Sequence, residues 1–166
     1  MKKTLLFACP ALFASASAGS IPGTQVSYKL AQDALTHGNA SMVFVDASED
    51  PTGKTYMALV CDLGKTTFRF YSKESLGSRA GEKVLFFFRA DDQGLRNAHG
   101  TLREYYKTGN LSVLDFSYDS SELFRTFAST QKKVVVRVNR NGMASMTLTF
   151  PVKGFMVAYR AIGSCG

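Results

Sequence analysis

The sequence predicts a mainly β protein, an antiparallel β-sandwich or strongly bent sheet with one or two short helices. Three observations carry this. Apolar and polar residues alternate with period two through several short segments. Gly, Asp and Asn punctuate those segments at short intervals. Two cysteines far apart in the chain can staple such a fold. No internal repeat, low-complexity run or second-domain boundary breaks the pattern. Residues 19–166 are therefore expected to form one β-rich domain of roughly 150 residues, enough to bury a sizeable core.

Taken in order, residues 19–25 are mostly Gly, Ser, Pro and Thr and read as a flexible lead. Val26, Leu30, Ala34 and Leu35 then recur at helical spacing, with Gly38 as the stop, which predicts a short helix. From there the period changes to two. Residues 42–45 read as a short strand, and 46–54 as a loop broken at Asp50-Pro51 and Gly53. Residues 55–61 and 66–71 form a hairpin around Asp62-Leu63-Gly64-Lys65. A two- or four-residue loop there sets Leu59 opposite Phe68 and Met57 opposite Phe70, on the face that carries Cys61.

Residues 72–82 are polar and read as a loop. Residues 83–90 are apolar on both alternating faces. Leu85 and Phe87 point one way, and Val84, Phe86 and Phe88 the other, which suits a central strand covered on both sides. Residues 91–110 form a long polar stretch, with strand pairing expected around 102–106, and 111–118 is the next strand. Asp119-Ser120-Ser121-Glu122 has the form of a capping box. Leu123, Phe124, Phe127 and Ala128 give the helix that follows one apolar face. In the last hairpin, 134–150, Asn141-Gly142 invites a two-residue turn, but that register sets Val136 and Val138 against Thr147 and Ser145. A three-residue loop, Arg140-Asn141-Gly142 with Gly142 left-handed, sets Val138, Val136 and Val134 opposite Ala144, Met146 and Leu148. The apolar pattern is preferred over the dipeptide, because a one-residue slip flips a strand's whole apolar set. Phe155, Val157, Ala158 and Ile162 indicate a short helix before Cys165.

Residues 1–18 have the layout of a cleaved secretory signal: Lys2-Lys3, a mostly apolar run from Thr4 to Phe13, and Ala16-Ser17-Ala18 ahead of Gly19. The run is too short for a spanning helix, which needs about 20 apolar residues. No transmembrane segment is expected after cleavage, and the protein is expected in the periplasm or secreted. Cys9 leaves with the signal, so Cys61 and Cys165 remain. Two thiols in an oxidising compartment usually pair. A redox pair usually sits as C-x-x-C and a zinc site wants four ligands; the chain has neither arrangement. The formal charge is +7, which loss of Lys2 and Lys3 lowers by two. A basic exported protein is attracted to anionic partners such as envelope polymers and phospholipid head groups. The basic residues are scattered, and no specific nucleic-acid binding is predicted.

No catalytic residue, metal site or cofactor is predicted. Gly53-Lys54-Thr55 and Gly64-Lys65-Thr66 look like the end of a phosphate loop, but Ser48 and Leu59 stand where that motif needs its first glycine. Serines are frequent, yet there is no G-x-S-x-G elbow. Asp91-Asp92 alone does not assemble the six to eight oxygens of a calcium site. Asp91, Asp92 and His99 are the residues a secreted hydrolase would use. Arg96, Arg103 and Lys107, interleaved with Tyr105 and Tyr106, form the candidate binding segment, since basic and aromatic side chains together grip anionic chains.

The segments Ala58-Leu59-Val60-Cys61, Phe88-Arg89-Ala90-Asp91 and the run from Leu148 through Phe155 to Ala158 and Cys165 resemble a group of small exported bacterial proteins. These are the β-rich, TagO-like periplasmic proteins associated with type VI secretion gene clusters and, more distantly, the invasion-associated locus B proteins. The resemblance covers roughly residues 55–165. It adds Arg89 and Asp91 to the candidate binding residues and implies an envelope accessory or binding protein with no established chemistry. The expected function is an exported, non-enzymatic module that binds a protein partner in the envelope, linked to secretion machinery. The alternatives are a secreted hydrolase and adhesion to an anionic envelope polymer.

Overall fold

Ten antiparallel strands form one sheet in a computed structural model that describes residues 17–165. Of the expected signal only Ser17 and Ala18 fall within the described residues. The strands are β1 (Ala18–Ser20), β2 (Val26–Lys29), β3 (Met42–Asp46), β4 (Tyr56–Asp62), β5 (Lys65–Tyr71), β6 (Lys83–Ala90), β7 (Arg96–Glu104), β8 (Leu111–Asp115), β9 (Lys133–Asn139) and β10 (Met146–Pro151). Their order across the sheet is β1-β2-β3-β4-β5-β8-β7-β6-β9-β10. Two helices, α1 (Ser120–Ser129) and α2 (Phe155–Ala161), complete the mainly β fold.

The sheet bends back on itself so that its two halves share one core. Phe70 of β5 meets Phe86 of β6 and Phe150 of β10, with ring centroids 5.9 and 6.2 Å apart. Phe127 of α1 and Phe155 of α2 reach Phe68 at 5.3 and 6.3 Å, so both helices bury their apolar stripes in the same interior. The free edge of β10 is blunted. The Ser48 N–H donates to the Thr149 carbonyl at 2.9 Å, the Thr149 N–H donates to the Glu49 carboxylate at 2.8 Å, and Pro151 has no N–H to offer.

The sulfurs of Cys61 and Cys165 lie at bonding distance, with Cα atoms 4.9 Å apart across 104 positions. The Asn39 side-chain amide donates to the carbonyls of Ile162 and Ser164, a second tie on the same tail. No helix among the described residues is long and apolar enough to cross a membrane.

The β4–β5 hairpin has the expected register, Leu59 opposite Phe68 and Met57 opposite Phe70. Its two turn residues, Leu63 and Gly64, both take positive φ, 48° and 74°, the conformation whose twist suits a two-residue hairpin. Elsewhere the structure corrects the reading. Residues 19–25 are not a free lead, because Gly19 and Ser20 pair with β2. The helix expected from Val26 is β2 followed by a turn. Val26 pairs with Val45, the Asp33 carboxylate accepts the N–H groups of Leu35 and Thr36, and Leu35 is 91% exposed. A helix burying Val26, Leu30 and Leu35 together would have to forgo that pairing.

Strand β7 starts well before residue 102, and Tyr105 and Tyr106 lie beyond its end. The capping box does not form. The Asp119 carboxylate accepts the His99 N–H at 2.8 Å, and Glu122 pairs with Arg96 and Arg125. In the β9–β10 hairpin the buried faces are as expected and Gly142 is left-handed, φ 71°, but the register is two residues away. Met146, Leu148 and Phe150 oppose Val138, Val136 and Val134. A two-residue slip keeps every side chain on its face, and this one places Phe150, rather than Ala144, among the paired apolar residues.

Candidate aromatic binding groove

The register that buries Met57, Leu59, Phe68 and Phe70 turns Tyr56 and Tyr71 outward, directly opposite each other. Their rings stack, 4.7 Å apart and 19° from parallel. Phe44 of β3 meets Tyr56 edge-on at 5.7 Å. A bulge between β7 and β8 falls at Arg103 and Glu104 and re-aims the chain where β7 ends. The Tyr105 N–H then donates to the Asn110 carbonyl at 2.7 Å, and its own carbonyl accepts the N–H groups of Thr108 and Gly109. This tight loop sets Tyr105 edge-on to Tyr71 at 6.0 Å and Tyr106 edge-on to Tyr105 at 5.3 Å. Phe44, Tyr56, Tyr71, Tyr105 and Tyr106 thus form a continuous aromatic row outside the core.

Tyr56, Tyr71 and Tyr105 wall a groove of about 750 Å³, with Lys54, Lys73 and Asn110 among its polar lining. Tyr71 and Tyr105 also border a second depression of about 320 Å³ that contains Arg69, Arg103 and Tyr106. The two tyrosines are therefore shared by both hollows. Lys107 holds its ammonium 5.7 Å from the Tyr106 ring centroid, within cation–π range; the phenols of Tyr105 and Tyr106 push its pKa up.

The groove's basic side has a buried support. Asp50 is 3% exposed. Its Oδ1 accepts the Thr52 hydroxyl at 2.6 Å, the Thr52 N–H at 3.2 Å and the Lys73 ammonium at 3.4 Å, while its Oδ2 has no hydrogen-bond partner among the described residues. The Thr52 hydroxyl, aided by Thr55 and Lys73, holds the Asp50 carboxyl well below the usual range despite burial. Burial and the Asp50 charge push nearby Asp46 the other way. Burial raises the Tyr56 phenol, with Tyr71 next in effect.

The structure brings Arg103, Tyr105, Tyr106 and Lys107 together and separates the other predicted residues from them. Arg96 donates to Glu122 at 2.7 Å, joining β7 to α1. The Asp91 carboxylate accepts the N–H groups of Gln131 and Lys133 at 3.1 and 3.0 Å, which fastens the entry to β9. Those bonds, the one from Lys133 foremost, lower its pKa. Arg89 lies on the outer face of the other half of the sheet. His99 pairs with Leu85, six positions before Asp91 on β6, which separates the two by about 20 Å along the strand. Asp91 and His99 therefore do not form a dyad.

Tyr56, Tyr71, Lys54 and Lys73 were not expected at a site. The signal was present, since the register that sets Leu59 opposite Phe68 also sets Tyr56 opposite Tyr71. No protein-family model, curated protein or solved structure matches the chain.

Proposed function

We propose that the protein is an exported, non-enzymatic binding module that engages a protein partner in the cell envelope through the tyrosine groove. The observation that carries this is the continuous row from Phe44 to Tyr106 on the side of the sheet away from the core. Tyrosine offers large, stiff contact area with a polar tip, and it is enriched where proteins bind proteins. Lys54, Arg103 and Lys107 bias the partner toward an acidic surface. The resemblance to secretion-associated exported proteins supports a place beside secretion machinery.

A photo-crosslinking residue tests this at two exposed positions. At Tyr106, 83% exposed beside the groove, it is expected to yield one discrete adduct in the envelope. At Val157 on α2, 56% exposed, it is expected to yield none. No adduct at Tyr106, or the same adducts at both positions, would contradict the reading.

The second reading, adhesion to an anionic envelope polymer, is favoured by Lys107 over Tyr106 and by nearby Arg103. Binding of that kind falls steeply with salt, whereas a desolvated aromatic contact keeps most of its strength.

A further inference from the structure

The sequence predicts β6 covered on both sides, and the structure covers one. Val84, Phe86 and Phe88 face the core. Leu85 and Phe87 stay half-buried on the outer face, and no helix among the described residues packs there. Around Phe87 opens a cleft of about 540 Å³ whose lining includes Val135, Leu95, Thr147, Arg89 and Arg137. Leu95 is 69% exposed.

Phe87 pairs with Arg137 and Arg89 pairs with Val135. Each arginine therefore sits opposite an apolar side chain, and the two arginines are diagonal neighbours about 7–8 Å apart. No acidic side chain among the described residues lines the cleft. Arg69, Arg96, Arg125 and Arg140 each reach a carboxylate, whereas Arg89 and Arg137 have no such partner among the described residues. Asp91, the acid nearest Arg89 in the chain that also binds locally, is occupied by backbone N–H groups.

We infer that this cleft binds an extended acidic peptide segment of a protein partner, with carboxylates on Arg89 and Arg137 and an apolar side chain over Phe87 and Val135. Guanidinium groups match carboxylates in bidentate geometry, and the apolar floor supplies the burial that an ion pair on open surface lacks. A second copy of this chain fits poorly. The chain carries formal charge +7, and two copies meeting face to face about a twofold axis would bring these arginines together. The proposal concerns the β6–β9 face and does not depend on the tyrosine groove.

The test is a nuclear magnetic resonance titration of the labelled protein with a capped hexapeptide alternating Glu and Leu. Saturable shifts are expected at the amides of Phe87, Arg89, Val135 and Arg137. The double variant Arg89→Gln/Arg137→Gln should bind about tenfold more weakly or worse, and so should wild type with a Gln–Leu peptide. Tyr71→Ala/Tyr105→Ala should bind the Glu–Leu peptide as wild type does, which separates this proposal from the groove. Absence of saturable shifts at those amides would overturn it. So would equal binding by the arginine variant, equal binding of the Gln–Leu peptide, or concentration-dependent shifts at this face without peptide, which would mark self-association.

Discussion

Tyr105 meets Tyr71 edge-on, ring centroids 6.0 Å apart at 82°, and this contact joins a strand position to a loop position at the junction of two hollows. The first ring is fixed by hairpin register and the second by a bulge and a tight turn. Tyr71 stands at the centre of the row, between Tyr56 and Tyr105. Tyr71→Ala is expected to weaken partner binding by about 2 kcal/mol or more, as loss of a central aromatic anchor does. Its ring lies outside the core, so stability should fall by only about 1–2 kcal/mol, from two lost ring contacts. Urea denaturation beside a binding measurement separates the two effects.

The Cys61–Cys165 bridge closes a long loop onto β4. Replacing both residues by serine should lower stability by about 2–5 kcal/mol, read as a lower urea midpoint. Intact-mass analysis of unreduced, denatured protein with a thiol reagent should find no free thiol. Labelling of Cys61 would show that the pair is open.

Asp50 makes stability depend on acid. Its folded pKa is depressed below the unfolded carboxylate value of about 3.9. Its contribution is therefore complete above that unfolded value and is lost as pH falls through the folded one. Asp50→Ala should cost about 1–3 kcal/mol at neutral pH, and the charge-dependent part of that gap should close in strong acid. Asp46 has the opposite sign: its raised folded pKa means that ionisation destabilises the fold. Asp46→Asn should raise the urea midpoint at neutral pH.

The hydrolase alternative makes a different forecast from the geometry. Asp92→Ala and His99→Ala should each stay within about 0.5 kcal/mol of wild-type stability, as surface changes do. Asp91→Ala should lower stability, because it frees the N–H groups of Gln131 and Lys133. None of the three should change a hydrolytic activity of the purified protein. An activity abolished by His99→Ala would make the protein an enzyme.

The strands were most legible where one face is buried and large. Met57, Leu59, Phe68 and Phe70 fix both the faces and the register of β4–β5. In β9–β10 the valines fix the faces alone, because a slip of two leaves them unchanged. The first part of strand β7 escaped because its inward residues include Ala98 and Gly100, which carry little hydrophobic signal. Their smallness is required by packing: a Cβ on Gly100 would stand 2.8 Å from the Leu114 Cβ and 3.1 Å from the Phe116 ring. The helix expected after Val26 rested on a spacing match that strand pairing overrode. Of the site, the segment from Arg103 to Lys107 was legible from composition. Its partners Tyr56 and Tyr71 required the register to be followed to the outer face. Arg96 looked like a binding residue because a charged side chain near aromatics reads the same whether it meets a ligand or fastens its own chain, whereas Asp91 was named through the resemblance and its carboxylate fastens the entry to β9.

The most direct test of the binding account is a crosslinked pull-down of the protein beside its Tyr71→Ala/Tyr105→Ala variant, washed at low and high salt and read by mass spectrometry. The account predicts one defined envelope protein retained by wild type at high salt and absent from the variant. Equal recovery by both forms would contradict the tyrosine groove as the binding site, and loss of everything at high salt would contradict a protein partner held by aromatic contact.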